Sequence, residues 1–275
     1  MSKALGNPDG PGSVISGIVA ACFQGRLAAA YRRDRATKPA RGVVVADWGE
    51  FAGVFILFLV SHYLPSRPGV RLAITRLVGE RVYLLIYSLI SLVLLGWLIV
   101  AAGRAPYVAL WDFAPWQIWV PNLVTPAAIL LAALGIAAPN PFSFAGRKTD
   151  RFDPDRPGIA GLTRHPLLWA ILLWAGAHLV PNGNLAHVLL FGFFMAMAIA
   201  GMLMIDRRRA RAMEPPHWRD MARRTSLIPF ANVIGGRFSI AGIDAAPVRL
   251  AVAVAVYLVL LLLHGPLIGV SPLPV

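Results

Sequence analysis

Two histidines and one carboxylate sit where a chain this apolar tolerates them least. His165 lies in Thr163-Arg164-His165-Pro166, where a basic segment meets an apolar run. His62 ends another apolar run in Ser61-His62-Tyr63-Leu64-Pro65, and Asp206 closes a third in Ile205-Asp206-Arg207-Arg208-Arg209. An ionisable group at the mouth of a membrane helix is costly to keep and points to function by default. Two imidazoles with no cysteine or carboxylate cluster beside them make a poor zinc site. They suit a b-type haem, whose porphyrin supplies the other four ligands, with Arg164 or Arg67 for its propionates. A histidine at a helix mouth also caps, snorkels or bonds a backbone carbonyl. A carboxylate among arginines is ordinarily a solvated ion-pair cluster; beside Arg164 and His165, Asp206 can also bind a cationic or hydroxyl-bearing ligand.

The elements that must position these residues are membrane helices. The 275 residues are 57% hydrophobic and 14% charged, with mean hydropathy +0.65, a composition of multi-span membrane proteins rather than soluble domains. At about 20 apolar residues per span, six helices are expected, over residues 48–64, 83–102, 120–138, 167–180, 185–205 and 250–264. Pro181-Asn182-Gly183-Asn184 makes the fourth and fifth a tight hairpin. The predicted fold is an all-α, polytopic helical bundle. Lys+Arg is 26 against Asp+Glu 13, net +13. The excess is concentrated in residues 65–82, 139–164 and 206–249, which therefore face the cytoplasm. The segment 103–119 carries only Arg104 and a belt of Trp111, Trp116 and Trp119, and reads as external. Positive-inside topology and the lipid bilayer explain this charge better than nucleic acid does. The orientation puts His62, His165 and Asp206 at one face, the inner one.

The other polar residues read more blandly. His178 is 13 residues past His165 on one helix, hence about 20 Å away, and is expected to bond a neighbouring helix. His187 and His264 read as interfacial, His217 as surface, and Glu50 as interfacial exposure. The single cysteine, Cys22, excludes an internal disulfide and a Cys-based metal cluster. No cleavable signal peptide is apparent in residues 1–12. Residues 1–45 break the charge alternation and carry no motif; they read as a poorly ordered extension or as sequence ahead of the true start. Residues 46–235 form the membrane domain, and 236–275 a loop and the last span. Residues 218–230 mix cations with apolar residues and read as a helix on the inner leaflet followed by a Pro-terminated re-entry.

Several stretches in fixed order resemble the NnrU family of bacterial inner-membrane proteins. They are Ser61-His62 with Leu64-Pro65 and Arg67-Pro68, Gly79-Glu80-Arg81, Tyr87-Ser88-Leu89, Pro139-Asn140-Pro141, Thr163-Arg164-His165-Pro166, the run from Leu173 to Leu179, Asn182-Gly183 and Ile205-Asp206-Arg207. The resemblance covers about residues 48–235. It implies a multi-pass protein of the bacterial inner membrane with a role in denitrification, in nitrite or nitric oxide reductase expression or activity. The family is related to plant zeta-carotene isomerase, a membrane enzyme with a b-type haem on two histidines. That relation implies His62 and His165 as ligands and, more distantly, isomerisation of a lipophilic polyene.

The Arg-His-Pro helix mouth also resembles membrane methyltransferases of the isoprenylcysteine and phospholipid type. Asp206-Arg207 stands here where their acidic pair would be, a departure at the point that would hold S-adenosylmethionine. Three readings follow. The chain binds b-type haem between His62 and His165, serving a lipophilic small molecule or a respiratory or denitrification complex. It is a methyltransferase-like enzyme with Arg164, His165 and Asp206 on the cofactor. Or it is a non-catalytic assembly factor with structural histidines.

Overall fold

The computed structural model describes residues 44–143, 151–238, 243 and 246–273. The segment 1–43, which includes nearly all of the expected extension, lies outside them. The long elements are helices where apolar runs are uninterrupted by turn residues, and breaks fall at Gly and Pro. Helix α1 (Val44–Ser66) ends at the Pro65 region. Helix α2 (Pro68–Val78) is a short elbow with no buried residue. It starts on a proline at N1 and stops at Gly79, whose φ of +82° favours glycine. Helix α3 (Glu80–Arg104) returns across the apolar layer. A single 3-10 turn, Pro115–Ile118, leads into α4 (Trp119–Gly135).

The second half begins with one turn, α5 (Ile159–Leu162), then α6 (Pro166–Leu179) and α7 (Leu185–Ala212). Helix α8 (Pro215–Arg224) and the turn α9 (Ala231–Ile234) lie beyond α7, and α10 (Pro247–Ile268) closes the chain. Five of these segments are long and apolar enough to cross a membrane, and α6 is a shorter apolar helix. The protein is an all-α, multi-pass membrane protein. Its long apolar faces remain largely uncovered by protein, as expected where lipid is the solvent: Leu77, Leu92, Val93, Leu262 and Leu267 are all more than 60% exposed.

Two packed groups share α7. Helices α1 and α3 pair, and Phe51, Val54, Phe58, Leu94, Leu98 and Ala101 form one core with Ala175 of α6 and Leu190, Phe191 and Phe194 of α7. Phe55 meets Phe193 and Phe58 meets Phe194 edge-on, at 5.1 and 5.6 Å between ring centres. On the other side α6 packs between α4 and α7, with α10 against α4. Gly135 of α4 allows this approach, because a Cβ there would overlap the Pro166 ring. Phe238 and Ile243 pack on Leu131, Ile159 and Leu162, so the chain past residue 235 shares this core.

Helix α6 has 14 residues, about 21 Å, short of the roughly 30 Å hydrocarbon layer. Irregular backbone, residues 163–165, precedes it at the cytoplasm-facing end. Such backbone survives at membrane depth only when protein satisfies its polar groups. That requirement builds the site.

Candidate functional site

Proline at 166 suits the first position of α6, where a missing N–H removes nothing. It also drives the preceding residue out of helical conformation, and His165 has φ −121° and ψ 60°. The segment entering the helix is tied to two others. Arg164 N–H donates to Ser226 O at 2.6 Å, and Ser226 N–H to Ala160 O at 3.1 Å. Asn140 Nδ2 donates to Arg164 O at 2.9 Å, while Asn140 Oδ1 accepts from Phe142 N–H at 2.9 Å. The Thr163 hydroxyl and the Trp169 indole both donate to Leu227 O, at 3.3 and 2.9 Å. Residues 225–227 thus re-enter the protein after α8, as the Pro-terminated pattern of 218–230 predicts.

Inside this frame lie three ionisable side chains. Asp206 Oδ2 accepts from an Arg164 terminal nitrogen at 2.6 Å, and Oδ1 faces His165 Nε2 at 2.8 Å. Side-chain exposure is 8% for Arg164, 0% for His165 and 14% for Asp206. The other Arg164 terminal nitrogen reaches Ala222 O at 3.3 Å and Thr225 Oγ1 at 3.4 Å. Trp218 and Phe142 wall the guanidinium at 5.6 and 6.0 Å from their ring centres, a cation–π arrangement. The carboxylate engages the ring at Nε2, and Nδ1 is its second polar position. Among the described residues, His165 Nδ1 and Arg164 Nε are both buried with no hydrogen-bond partner.

The sequence brings Arg164, His165 and Asp206 together as expected, but not His62 or Arg67. His62 lies on α1, stacked on Phe58 at 4.1 Å and edge-on to Tyr87 at 5.6 Å. Its Nδ1 faces Phe58 O at 2.8 Å, one turn back on its own helix. His165 instead faces Asp206. Among the described residues no group of three His, Cys, Asp or Glu converges on a metal position. Arg67 covers the Tyr63 ring at 4.3 Å beside the elbow, and Arg164 is occupied by Asp206. A haem held between His62 and His165, with Arg164 and Arg67 on its propionates, would take these four side chains from the partners they have here.

A family model described as NnrU protein matches residues 50–272. The chain belongs to the NnrU family. No curated protein and no solved structure matches it. In this NnrU protein the remaining histidines serve local structure. His178 Nδ1 faces Trp174 O of its own helix at 2.8 Å rather than a neighbouring helix. His187 is tied to Asn184, which caps α7, and His264 faces Val270 O at 2.8 Å. Glu50 accepts from Trp97 at 3.1 Å and Arg104 at 3.3 Å near the outer end.

Reading the sequence alone missed Asn140, Phe142, Thr225 and Ser226. A signal for Asn140 was present: between Pro139 and Pro141 its amide has no adjacent N–H to bond, so it turns to Phe142 N–H and to Arg164 O. Ser226 and Thr225 carry no such mark.

Proposed function

We propose that this NnrU protein is a small-ligand protein of the bacterial inner membrane whose working centre is Arg164, His165 and Asp206. The observation that carries the reading is the state of the His165 ring. One nitrogen is held by a carboxylate, the other is buried and uncommitted, and an equally uncommitted Arg164 Nε lies in the adjacent residue. A buried polar atom without a partner costs about 1–3 kcal/mol, so two of them in one centre favour a ligand that completes them. A neutral ring would accept at Nδ1 while Arg164 Nε donates, a match for a small polar group such as a hydroxyl or an amide. Asp206 fixes the ring orientation and keeps the charge of Arg164 compensated. The role in nitrite or nitric oxide metabolism is supported by family membership, and the geometry supports the location of the site.

A second reading rests on the same ring. An imidazole whose far nitrogen is held by a carboxylate is in the form metal-ligating histidines adopt. That leaves His165 alone, through Nδ1, as a candidate ligand for haem iron, with His62 outside the site.

The test uses a denitrifying host deleted for its own copy, supplied with the wild type or with variants at matched membrane levels. The wild type is expected to restore nitrite and nitric oxide consumption. His165→Gln and Asp206→Asn are expected to restore less than a tenth, and His62→Ala to restore it fully. Full restoration by His165→Gln overturns the reading, as does failure of the wild type.

A further inference from the structure

A second polar site lies on the arginine-rich face, outside the centre just described. A cavity of about 460 Å³ opens between the loop 154–157, the end of α8 and the strand of chain after α9. Its walls are Pro154, Asp155, Arg156, Pro157, Arg224, Arg237 and Phe238. Three cations and one carboxylate therefore face it. Asp155 pairs with Arg224, which also binds Asp220 at 3.0 Å. No ion pair is made by Arg156 or Arg237 among the described residues. The cavity carries two cations in excess.

Both walls are held by backbone rather than by loose side chains. On one side Asp153 closes a turn, accepting Asp155 N–H on Oδ1 at 2.9 Å and Arg156 N–H on its carbonyl at 3.1 Å. Pro154 and Pro157 further fix that loop. On the other side the N–H groups of Arg237 and Phe238 both donate to Asn232 O, at 2.9 and 3.1 Å. Phe238 is seated on Gly161, where a Cβ would overlap its ring. Pre-set walls lower the ordering cost of binding.

We infer that this cavity binds a phosphate ester of a small polyol, with Arg156 and Arg237 on the phosphate and Phe238 against the carbon skeleton. Arginine forks match phosphate oxygens in bidentate geometry. The volume falls in the range of small-molecule sites, about 300–1,000 Å³, so a bare ion underfills it. Placement on the face that positive-inside topology assigns to the cytoplasm makes two sources chemically equivalent, the glycerophosphate headgroup of an anionic lipid or a soluble phosphate ester.

The experiment compares the full chain with an Arg156→Gln/Arg237→Gln variant. Native mass spectrometry reads retention of phosphatidylglycerol against phosphatidylcholine, and calorimetry in neutral detergent reads binding of glycerol 3-phosphate. The variant is expected to lose about 30-fold in affinity for whichever probe binds, at about a tenfold factor or less per arginine. An Arg207→Gln/Arg209→Gln variant, altered on the same face but outside the cavity, is expected to keep it. Loss of phosphatidylglycerol retention assigns the lipid source, and loss of glycerol 3-phosphate binding the soluble one. Equal binding by the cavity variant and wild type, no binding of either probe, or an equal loss in the control variant overturns the inference. Both substituted arginines are exposed, so an unchanged melting temperature certifies that the variant is folded.

Discussion

The hairpin of α6 and α7 is tied at its outer end by neutral groups and at its inner end by charges. Outside, Leu110 N–H donates to Gly183 O at 2.7 Å and Leu185 N–H to Val108 O at 2.9 Å. Trp111 Nε1 donates to Val180 O at 3.0 Å, and Asn184 caps α7. Each of these bonds joins neutral groups. Inside, the same kind of closure is present in Arg164 N–H to Ser226 O and Trp169 to Leu227 O. Yet a carboxylate, a guanidinium and an imidazole are added, and two of their nitrogens have no partner. The outer end shows that a helical hairpin needs no ions to close. The ions inside therefore answer to something other than closure, since a buried ion pair is weak support for stability.

Removing one charge from the inner end should have the largest effect. Asp206→Ala strands a buried guanidinium, and its expected cost is about 3–5 kcal/mol, read as the largest loss in thermal unfolding in detergent. A change near zero would mean that Arg164 reaches solvent and that the inner end is an ordinary surface. Next is Gly183→Ala at the outer end. Its Cβ would meet the backbone oxygen and ring of Trp111, so overpacking of about 1–3 kcal/mol is expected. Function should be spared once the protein is folded. Asn184→Ala removes the cap on α7 and should cost about 1 kcal/mol, again with no functional defect. The smallest effect is expected from Glu50→Gln, which loosens the partly exposed pair with Arg104 by under about 1 kcal/mol. A functional defect in either outer variant without unfolding would erase the distinction between the two ends.

The layout of the helices was legible because apolar length and arginine placement are global signals. Each of the six expected spans corresponds to one helix, with α6 the short one as Pro166 and Pro181 dictate. The meeting of Arg164, His165 and Asp206 was legible too. A tight turn at 181–184 returns Asp206 to the end of the hairpin where His165 starts. What was illegible is the immediate surroundings of each histidine. His62 and His165 both lie toward the inner face, but His62 meets Phe58 and Tyr87 while His165 meets Asp206. The partners of the inner backbone were also hidden. Ser226 is far from residue 164 in sequence and acts through main-chain atoms, which carry no residue signature.

The measurement that bears most directly on the centre is the absorption spectrum of purified protein supplied with haem, oxidised and after dithionite. It is recorded for the wild type, His62→Ala and His165→Ala. The His62→Ala spectrum is expected to coincide with the wild type, because the His62 ring is taken up by Phe58 and Tyr87 while His165 faces Asp206. Sharp α and β bands in the reduced wild type that vanish in both His62→Ala and His165→Ala would contradict it, and would place the two histidines on one iron.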